Sequence, residues 1–377
     1  MAWVEQRGTR WRVRFRMPDG TVGTDSSHPD RAAALLRCKQ VDIDQATDTY
    51  LDPAAGRITL AQWVELWQDT HVAGPAKMAA YRSHLRIHIL PAFGSVPLTQ
   101  INRHAVKVFV KQLKTRLADS SVTSIVSLLS MLMREAVADR RIGHNPCHNI
   151  RVTTTRAPER PAATARQVNT IASRIDRFDD QVLVIAAAYT GMRWGELTGL
   201  SRANTHLGDG LIRIDPEVGA LHELSGKLVL GPPKTADSAR DVHLPAFLIH
   251  LLTQVLNGHD HEQVFAGAHG GYLRRSNFSR RVWTPAACGD PDRGLPPVIA
   301  GMHFHDLRHT HKTWLIEDDI PEIAQAKRLG HHLPGIRGVY SHVTPAMQQR
   351  ITQALQARWN TNRPRHLHAV DDPPRAA

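Results

Sequence analysis

The run His305-Asp306-Leu307-Arg308, with Leu329-Gly330-His331 and then Tyr340 downstream, sets phosphate-binding groups beside a candidate nucleophile. If residues 305–317 are helical, His305 and Arg308 lie three apart on one face, so an imidazole and a guanidinium meet a single ligand. A phosphate suits that pair, because the planar guanidinium fork gives two parallel charge-assisted hydrogen bonds and keeps its charge at any working pH. Tyr340 supplies a hydroxyl with an unperturbed pKa of about 10, which needs a cationic pocket to attack as a phenolate.

Two more groups lie upstream. Thr190-Gly191-Met192-Arg193-Trp194-Gly195-Glu196-Leu197 follows the apolar run 182–189, and Gly191 permits a tight turn that aims Arg193 inward. Pro232-Pro233-Lys234-Thr235-Ala236-Asp237-Ser238 lies between residues 227–230 and 240–244, two short runs that read as paired strands with Lys234 in their connection. A loop lysine there can deliver a proton.

Taken in order, Arg193, Lys234, His305-x-x-Arg308, Leu-Gly-His331 and Tyr340 resemble the tyrosine recombinases, the phage integrase family. The resemblance covers roughly residues 57–362 and extends to the surrounding wording, Thr-Gly-Met-Arg-Trp-Gly-Glu-Leu, His-Asp-Leu-Arg-His-Thr and Tyr-Ser-His-Val. One departure is His332-Leu333-Pro334-Gly335, which replaces the more usual small polar residues and alters loop shape. The resemblance implies a site-specific recombinase, the integrase of a phage or integrative mobile element. Tyr340 would attack a scissile phosphate of double-stranded DNA, leaving a 3′-phosphotyrosyl link and a free 5′-hydroxyl, and the reverse attack would rejoin the strand. By the same resemblance Arg193 and Arg308 clamp the non-bridging oxygens and Lys234 protonates the departing 5′-oxygen. His305 and His331 position the phosphate and handle the tyrosine proton. Bond energy stays in the covalent link, so no cofactor is implied, and the chain has no Gly-x-x-x-x-Gly-Lys-Ser/Thr run. Glu196 is read outside the catalytic set, tethering a neighbour of Arg193. The partners implied are attachment-site DNA, a homotetramer in the synaptic complex and an accessory directionality or DNA-bending protein.

Plainer readings stand beside these. Alone, Tyr340 is a half-buried aromatic, Arg193 a surface arginine and Lys234 a solvated lysine; their order and register distinguish them. His303, His305, His309 and His311 alternate as a metal set might be arranged, but no carboxylate or cysteine at helical or finger spacing completes a site, so no metal is expected. A type IB topoisomerase uses similar chemistry without exchanging strands, and the wording from His331 to Tyr340 fits it poorly. A non-catalytic DNA-binding regulator on this fold would require decay of a reactive position, and none has decayed.

With 47 Lys and Arg against 35 Asp and Glu, the net charge is +12, the footprint of a nucleic-acid binder. No apolar run reads as approaching the ~20 residues of a membrane span, residues 182–189 reading as the longest, and the amino terminus lacks a signal-peptide core. Cys38, Cys147 and Cys288 share no close spacing and suggest neither a disulfide framework nor a zinc site. No membrane partner is expected, and the cytoplasm is the expected location.

These groups need a scaffold, and the patterns predict a mainly α fold with small β-sheets (α+β). Residues 1–56 form an amino-terminal arm-type module: Arg10, Arg12, Arg14 and Arg16 alternate with Trp11, Val13 and Phe15, giving a strand with one basic, DNA-binding face and one apolar face, backed by a helix over 29–45. A strand with a merely solvated basic face is the alternative, since Asp42, Asp44, Asp48 and Asp52 bring the segment near neutrality. Residues 57–152 read as a helical core-binding bundle, with a helix over 81–90 ended by Pro91, another over 103–117, and a last one stopped by Gly143-His144-Asn145-Pro146. Residues 153–161 read as a linker, 162–362 as the catalytic tyrosine recombinase domain and 363–377 as a disordered tail, with disorder setting in from Asn360. Pro321 and Gly330 bracket one helix and Thr344-Pro345 opens the last. The apolar stripe Met347, Ile351, Ala354, Leu355 and Trp359 is expected to dock on a neighbouring subunit rather than pack at home.

Overall fold

In β2 (Arg10–Arg16) every second side chain faces a helix. Val13 and Phe15 bury against Ala34, Cys38 and Val41 of α1 (Arg31–Ala46), while the arginines take the opposite face. The computed structural model describes residues 1–17, 20–153, 159–224, 226–332 and 343–362. It is mainly α-helical with small antiparallel sheets and divides into two compact units, Met1–Ala157 and Pro158–Ala377.

The first unit begins with β1 (Ala2–Arg7), β2 and β3 (Val22–His28), antiparallel with β2 central. Asp30 caps α1 by accepting from the Ala33 amide at 2.8 Å. Asp25 is buried and accepts from Arg37 Nη2 at 2.8 Å and Nε at 2.9 Å, and from the Tyr50 hydroxyl at 3.2 Å. The basic face is partly engaged. Arg10 donates to Ser27 and Arg14 lies 3.7 Å from Glu5, whereas Arg12 has no such partner among the described residues. Trp3, paired opposite Arg14, is 39% exposed.

A second apolar core belongs to the helices that follow: α2 (Leu60–Thr70), α3 (Pro75–His84), α4 (Leu90–Phe93), α5 (Arg103–Lys114) and α6 (Asp119–Ala138). Pro91 does not end its helix. Residues 85–89 widen into a π turn in which the Leu90 amide donates to the Leu85 carbonyl, and α4 continues with the proline at its start. The wider turn relieves the clash that a proline ring makes with the preceding turn. The stop expected at Gly143-Pro146 comes earlier, where Arg140 takes a left-handed φ of 54° and the Arg141 amide returns to the Ala136 carbonyl at 2.8 Å. By length and composition α6 is apolar enough to cross a membrane, so residues 182–189 are not the longest apolar segment. Its Val122, Ile125, Leu129, Leu132 and Met133 fill the bundle core.

The second unit carries α7 (Ala165–Ser173), α8 (Phe178–Thr190), α9 (Trp194–Thr198), a sheet of β4 (Thr205–His206), β5 (Leu211–Ile214) and β8 (Arg240–His243), the hairpin β6 (Ala220–Leu224) and β7 (Lys227–Gly231), then α10 (Ala246–Asn257), α11 (Arg275–Phe278), α12 (Thr284–Cys288), α13 (Asp306–Glu317), α14 (Glu322–Leu329) and α15 (Pro345–Asn362). Residues 227–230 therefore do not pair with 240–244. β7 pairs with β6 across a tight turn that contains Gly226 at φ 83°, and β8 pairs with β5. A short hairpin closes at lower entropic cost than the loop through Lys234.

α15 packs at home, contrary to expectation. Ile351, Leu355 and Trp359 are buried in the core of their own unit, and Trp359 stacks on Phe247 with ring centroids 4.1 Å apart. Both residues face the buried Tyr189 ring, so the helix completes an aromatic cluster around α8. Residues 360–362 are helical, extending α15 beyond where disorder was expected to set in. The expected tail 363–377 lies outside the described residues.

Candidate active site

α8 ends at Gly191, whose φ of 66° and lack of a side chain are both needed: a Cβ there would stand 2.7 Å from His311 Cδ2 and from Leu329 Cδ2. The left-handed turn sends the chain into Arg193, which precedes α9. The Glu196 side chain accepts from the Arg193 amide at 3.0 Å and from its Nη1 at 2.7 Å. Arg193 Nη1 also donates to Ser238 Oγ at 2.8 Å, and Nη2 to the Gly330 carbonyl at 3.5 Å.

Arg308 lies on α13 and is buried. Its Nη1 donates to the Gly191 carbonyl at 2.6 Å, and its Nη2 donates to the Leu329 carbonyl and to His331 Nε2, the latter at 2.9 Å. An arginine only donates, so Nε2 is the accepting nitrogen and the His331 proton sits on Nδ1. Burial first, then the Arg308 and Arg193 charges, push the His331 imidazole down to about 4, which keeps it neutral at pH 7. Burial and the charges of Arg193 and Arg240 likewise push the Arg308 guanidinium down to about 9. Arg308 has no carboxylate partner among the described residues. A phosphate between these cations would supply the missing negative charge.

His305 precedes α13, exposed, with its ring 5.6 Å from that of His309. Although part of its surface is exposed, desolvation on its inward side, then Arg308 and His309, lowers its pKa. Lys234 is exposed at the start of the segment between β7 and β8, and among the described residues it has no hydrogen-bond or ion-pair partner. The far end of that segment is anchored: Ser238 is buried, and Asp237 pairs with His332 at 3.4 Å. The structure thus gathers Arg193, Arg308 and His331 around the turn 329–331 and brings the Lys234 segment to Arg193. Tyr340 lies outside the described residues. The alternating histidines diverge, with His311 buried in the core and His309 exposed. Among the described residues no three His, Cys, Asp or Glu side chains gather to hold a metal.

Sequence reading missed Arg240. Its side chain is fully buried, and it donates to both Glu196 oxygens at 3.0 and 3.4 Å, to the Ser238 carbonyl at 2.7 Å and to the Arg328 carbonyl at 2.6 Å. An ideal Cβ on Gly330 would stand 2.9 Å from Arg240 Nη1, so glycine is required there for space as well as for its φ of 65°. The signal was the alternation of β8, which puts Arg240 on the same face as the buried Val242. Glu196 binds Arg193 itself as well as Arg240. Burial pushes its carboxyl up, but the Arg240 and Arg193 contacts outweigh that and hold it below the ordinary carboxylate value.

His311 and Arg328 form a second buried brace. Arg328 Nε donates to His311 Nε2 at 2.8 Å, its Nη1 to the His243 carbonyl and its Nη2 to the Tyr189 carbonyl, both at 2.9 Å. His311 Nδ1 therefore carries the ring proton and donates to the Ala188 carbonyl at 2.8 Å. Burial and the Arg328 charge hold the His311 pKa well below its ordinary value. The unfolded imidazole binds a proton below about pH 6.5 and the folded one does not, so this contribution is full above that pH and is lost on acidification. Stability should fall by about 1.4 kcal/mol per pH unit below pH 6.5 from this group. Denaturant titrations of the parent and of His311→Gln, which accepts from Arg328 without titrating, should differ in slope by one proton. Equal slopes would show that His311 is protonated when folded.

Residues 162–347 match the phage integrase family. Over 369 residues the chain is 27% identical to the prophage phiRv2 integrase of Mycobacterium tuberculosis, covering 92% of each. The fold is similar to that of the Tn1549 transposon integrase in complex with a circular intermediate DNA, with a TM-score of 0.63 at 16% identity over 79% of this chain and 99% of that one. It is also similar to a lambda integrase tetramer bound to a Holliday junction, with a TM-score of 0.55 at 19% identity over 89% and 97% of the two chains. These likenesses show a shared fold.

Proposed function

We propose that this chain, a member of the phage integrase family of tyrosine recombinases and hence a site-specific DNA recombinase, is the integrase of a phage or integrative mobile element and acts through Tyr340. The observation that carries the reading is Arg308. It is a buried guanidinium with no carboxylate partner among the described residues, beside Arg193 and bonded to His331. Such a site is preorganised for the charge that develops on a phosphate as a nucleophile adds to it.

The Tyr340 oxygen forms its bond to phosphorus as the bond to the 5′-oxygen breaks, and that oxygen takes a proton from Lys234. Arg193 and Arg308 hold the non-bridging oxygens, His331 orients the phosphate from its bond to Arg308, and His305 helps to orient the phosphate and receives the tyrosine proton. Residues 1–56 act as an arm-type DNA-binding module through the sheet face bearing Arg10, Arg12, Arg14 and Arg16. Residues 57–152 hold the core site, 153–161 link them to the catalytic domain 162–362, and two DNA sites are brought together by a homotetramer. An accessory directionality or DNA-bending protein completes the assembly, which works on DNA in the cytoplasm. The similar lambda integrase, solved as a tetramer bound to a Holliday junction, supports this assembly.

The test is covalent capture. Incubated without added metal with nicked duplex tiles spanning the DNA that flanks its own gene, the protein is expected to form an adduct that survives denaturation, with a nucleotide remnant on Tyr340 by mass spectrometry. An adduct on another residue would overturn the assignment of the nucleophile. Specific binding with no adduct would favour the regulator reading.

A further inference from the structure

Lys234 needs to reach a single leaving oxygen, yet it sits exposed in a connection of eight residues (232–239) between two strands that belong to different sheets. Its local structure is one 3-10 turn, Ala236–Ser238, and Ser238 ties that turn to the phosphate-binding residues. The residue is fully buried, and its hydroxyl accepts from Arg193 Nη1 at 2.8 Å while lying 2.9 Å from Thr235 Oγ1, the residue next to Lys234. Its carbonyl accepts from Arg240 Nη1 at 2.7 Å, and its amide donates to the Thr235 carbonyl at 3.0 Å.

We propose that Ser238 is a positioning residue for proton delivery: its hydroxyl clips the Lys234 segment onto Arg193, so that the group holding the phosphate also places the group that protonates the leaving oxygen. This rests on the reading of Lys234 as the general acid. A hydroxyl suits the position because it accepts from the guanidinium with one lone pair and still shares a hydrogen with Thr235. The Arg240 contact anchors the backbone of the same residue, so the hydroxyl is left to set the path toward Lys234 rather than to hold the strand. The role is distinct from binding phosphate. Once the leaving group no longer needs a proton, the clip should no longer matter.

A 5′-bridging phosphorothiolate makes that separation, because a thiolate leaves without protonation. Ser238→Ala and Lys234→Ala are compared with the parent on nicked duplexes of one captured site, with either oxygen or sulfur at the bridging position. Ser238→Ala should cleave the oxygen substrate about tenfold or more slowly, as a misplaced catalytic group does, and the sulfur substrate at nearly the parental rate. Lys234→Ala should show the same recovery more strongly. Hydrogen exchange of the free proteins gives a readout that needs no DNA: amides in 234–239 should exchange faster in Ser238→Ala, with 191–198 and 306–317 unchanged. Equal loss on both substrates would place the hydroxyl's effect on Arg193 and overturn the proposal, as would unchanged exchange in 234–239. If Lys234→Ala is not rescued by sulfur, the general-acid reading itself fails.

Discussion

Arg308→Ala should slow single-turnover cleavage by about a hundred- to a thousandfold, the loss expected when one donor aimed at developing charge is removed, about 2.7–4 kcal/mol. The number follows from where the side chain sits. Arg308 is buried, and its two terminal nitrogens bind the Gly191 and Leu329 carbonyls and His331 Nε2. Those contacts lock the fork without neutralising it, so its charge meets the phosphate with no reorganisation. Arg308→Lys should recover little, because one ammonium cannot span acceptors on both sides of the site. DNA affinity should fall much less than the rate, since the phosphate is bound before cleavage and carries extra charge only in the transition state. A tenfold or smaller loss in rate, with the fold intact by circular dichroism, would remove Arg308 from the clamp.

Arg240→Met should cost about 3–5 kcal/mol of stability, the typical penalty for removing one partner of a buried ion pair. Glu196 is 2% exposed and among the described residues would keep only Arg193 as a charged partner, while the Ser238 and Arg328 carbonyls would lose this donor. The pH dependence has a defined sign. In the parent the Glu196 pKa is depressed, so its stabilising contribution is present above the unfolded value and is lost as pH falls through the folded one. In Arg240→Met the burial effect gains weight and raises that pKa, so the penalty should shrink toward low pH. Arg240→Met/Glu196→Gln should recover part of the loss, because the glutamine leaves no buried charge. Urea titrations of the four proteins at pH 5 and pH 7.5 measure this. Additive effects at both pH values would show that the two residues act independently.

The helix types and several of their ends were legible. Pro321 and Gly330 bracket α14 as their backbone preferences require. The helix behind the basic strand was legible, and the alternation of β2 separates Val13 and Phe15 from the arginines. Pro91 misled because a proline breaks a regular α-helix, whereas a π turn upstream absorbs it. The stripe on α15 misled differently. Periodicity shows that a helix has an apolar face but carries no information about which chain covers it, and here Phe247 and Tyr189 of the same unit do so.

By itself the sequence determined the chemical inventory: two arginines, a loop lysine, two histidines and a tyrosine in an order that resembles one family, on a basic chain with helical and alternating patterns. Those features are local, because backbone preference and side-chain periodicity act over a few residues. Tertiary structure alone decided how the inventory is held. Arg308 reaches a carbonyl 117 positions away in sequence, Arg240 ties together Glu196, Ser238 and Arg328, and Ser238 joins the lysine segment to Arg193. Burial is the reason. Taking guanidinium groups out of water is costly unless their donors are satisfied, and the carbonyls and carboxylate that satisfy them come from distant segments that only the packed core brings within reach.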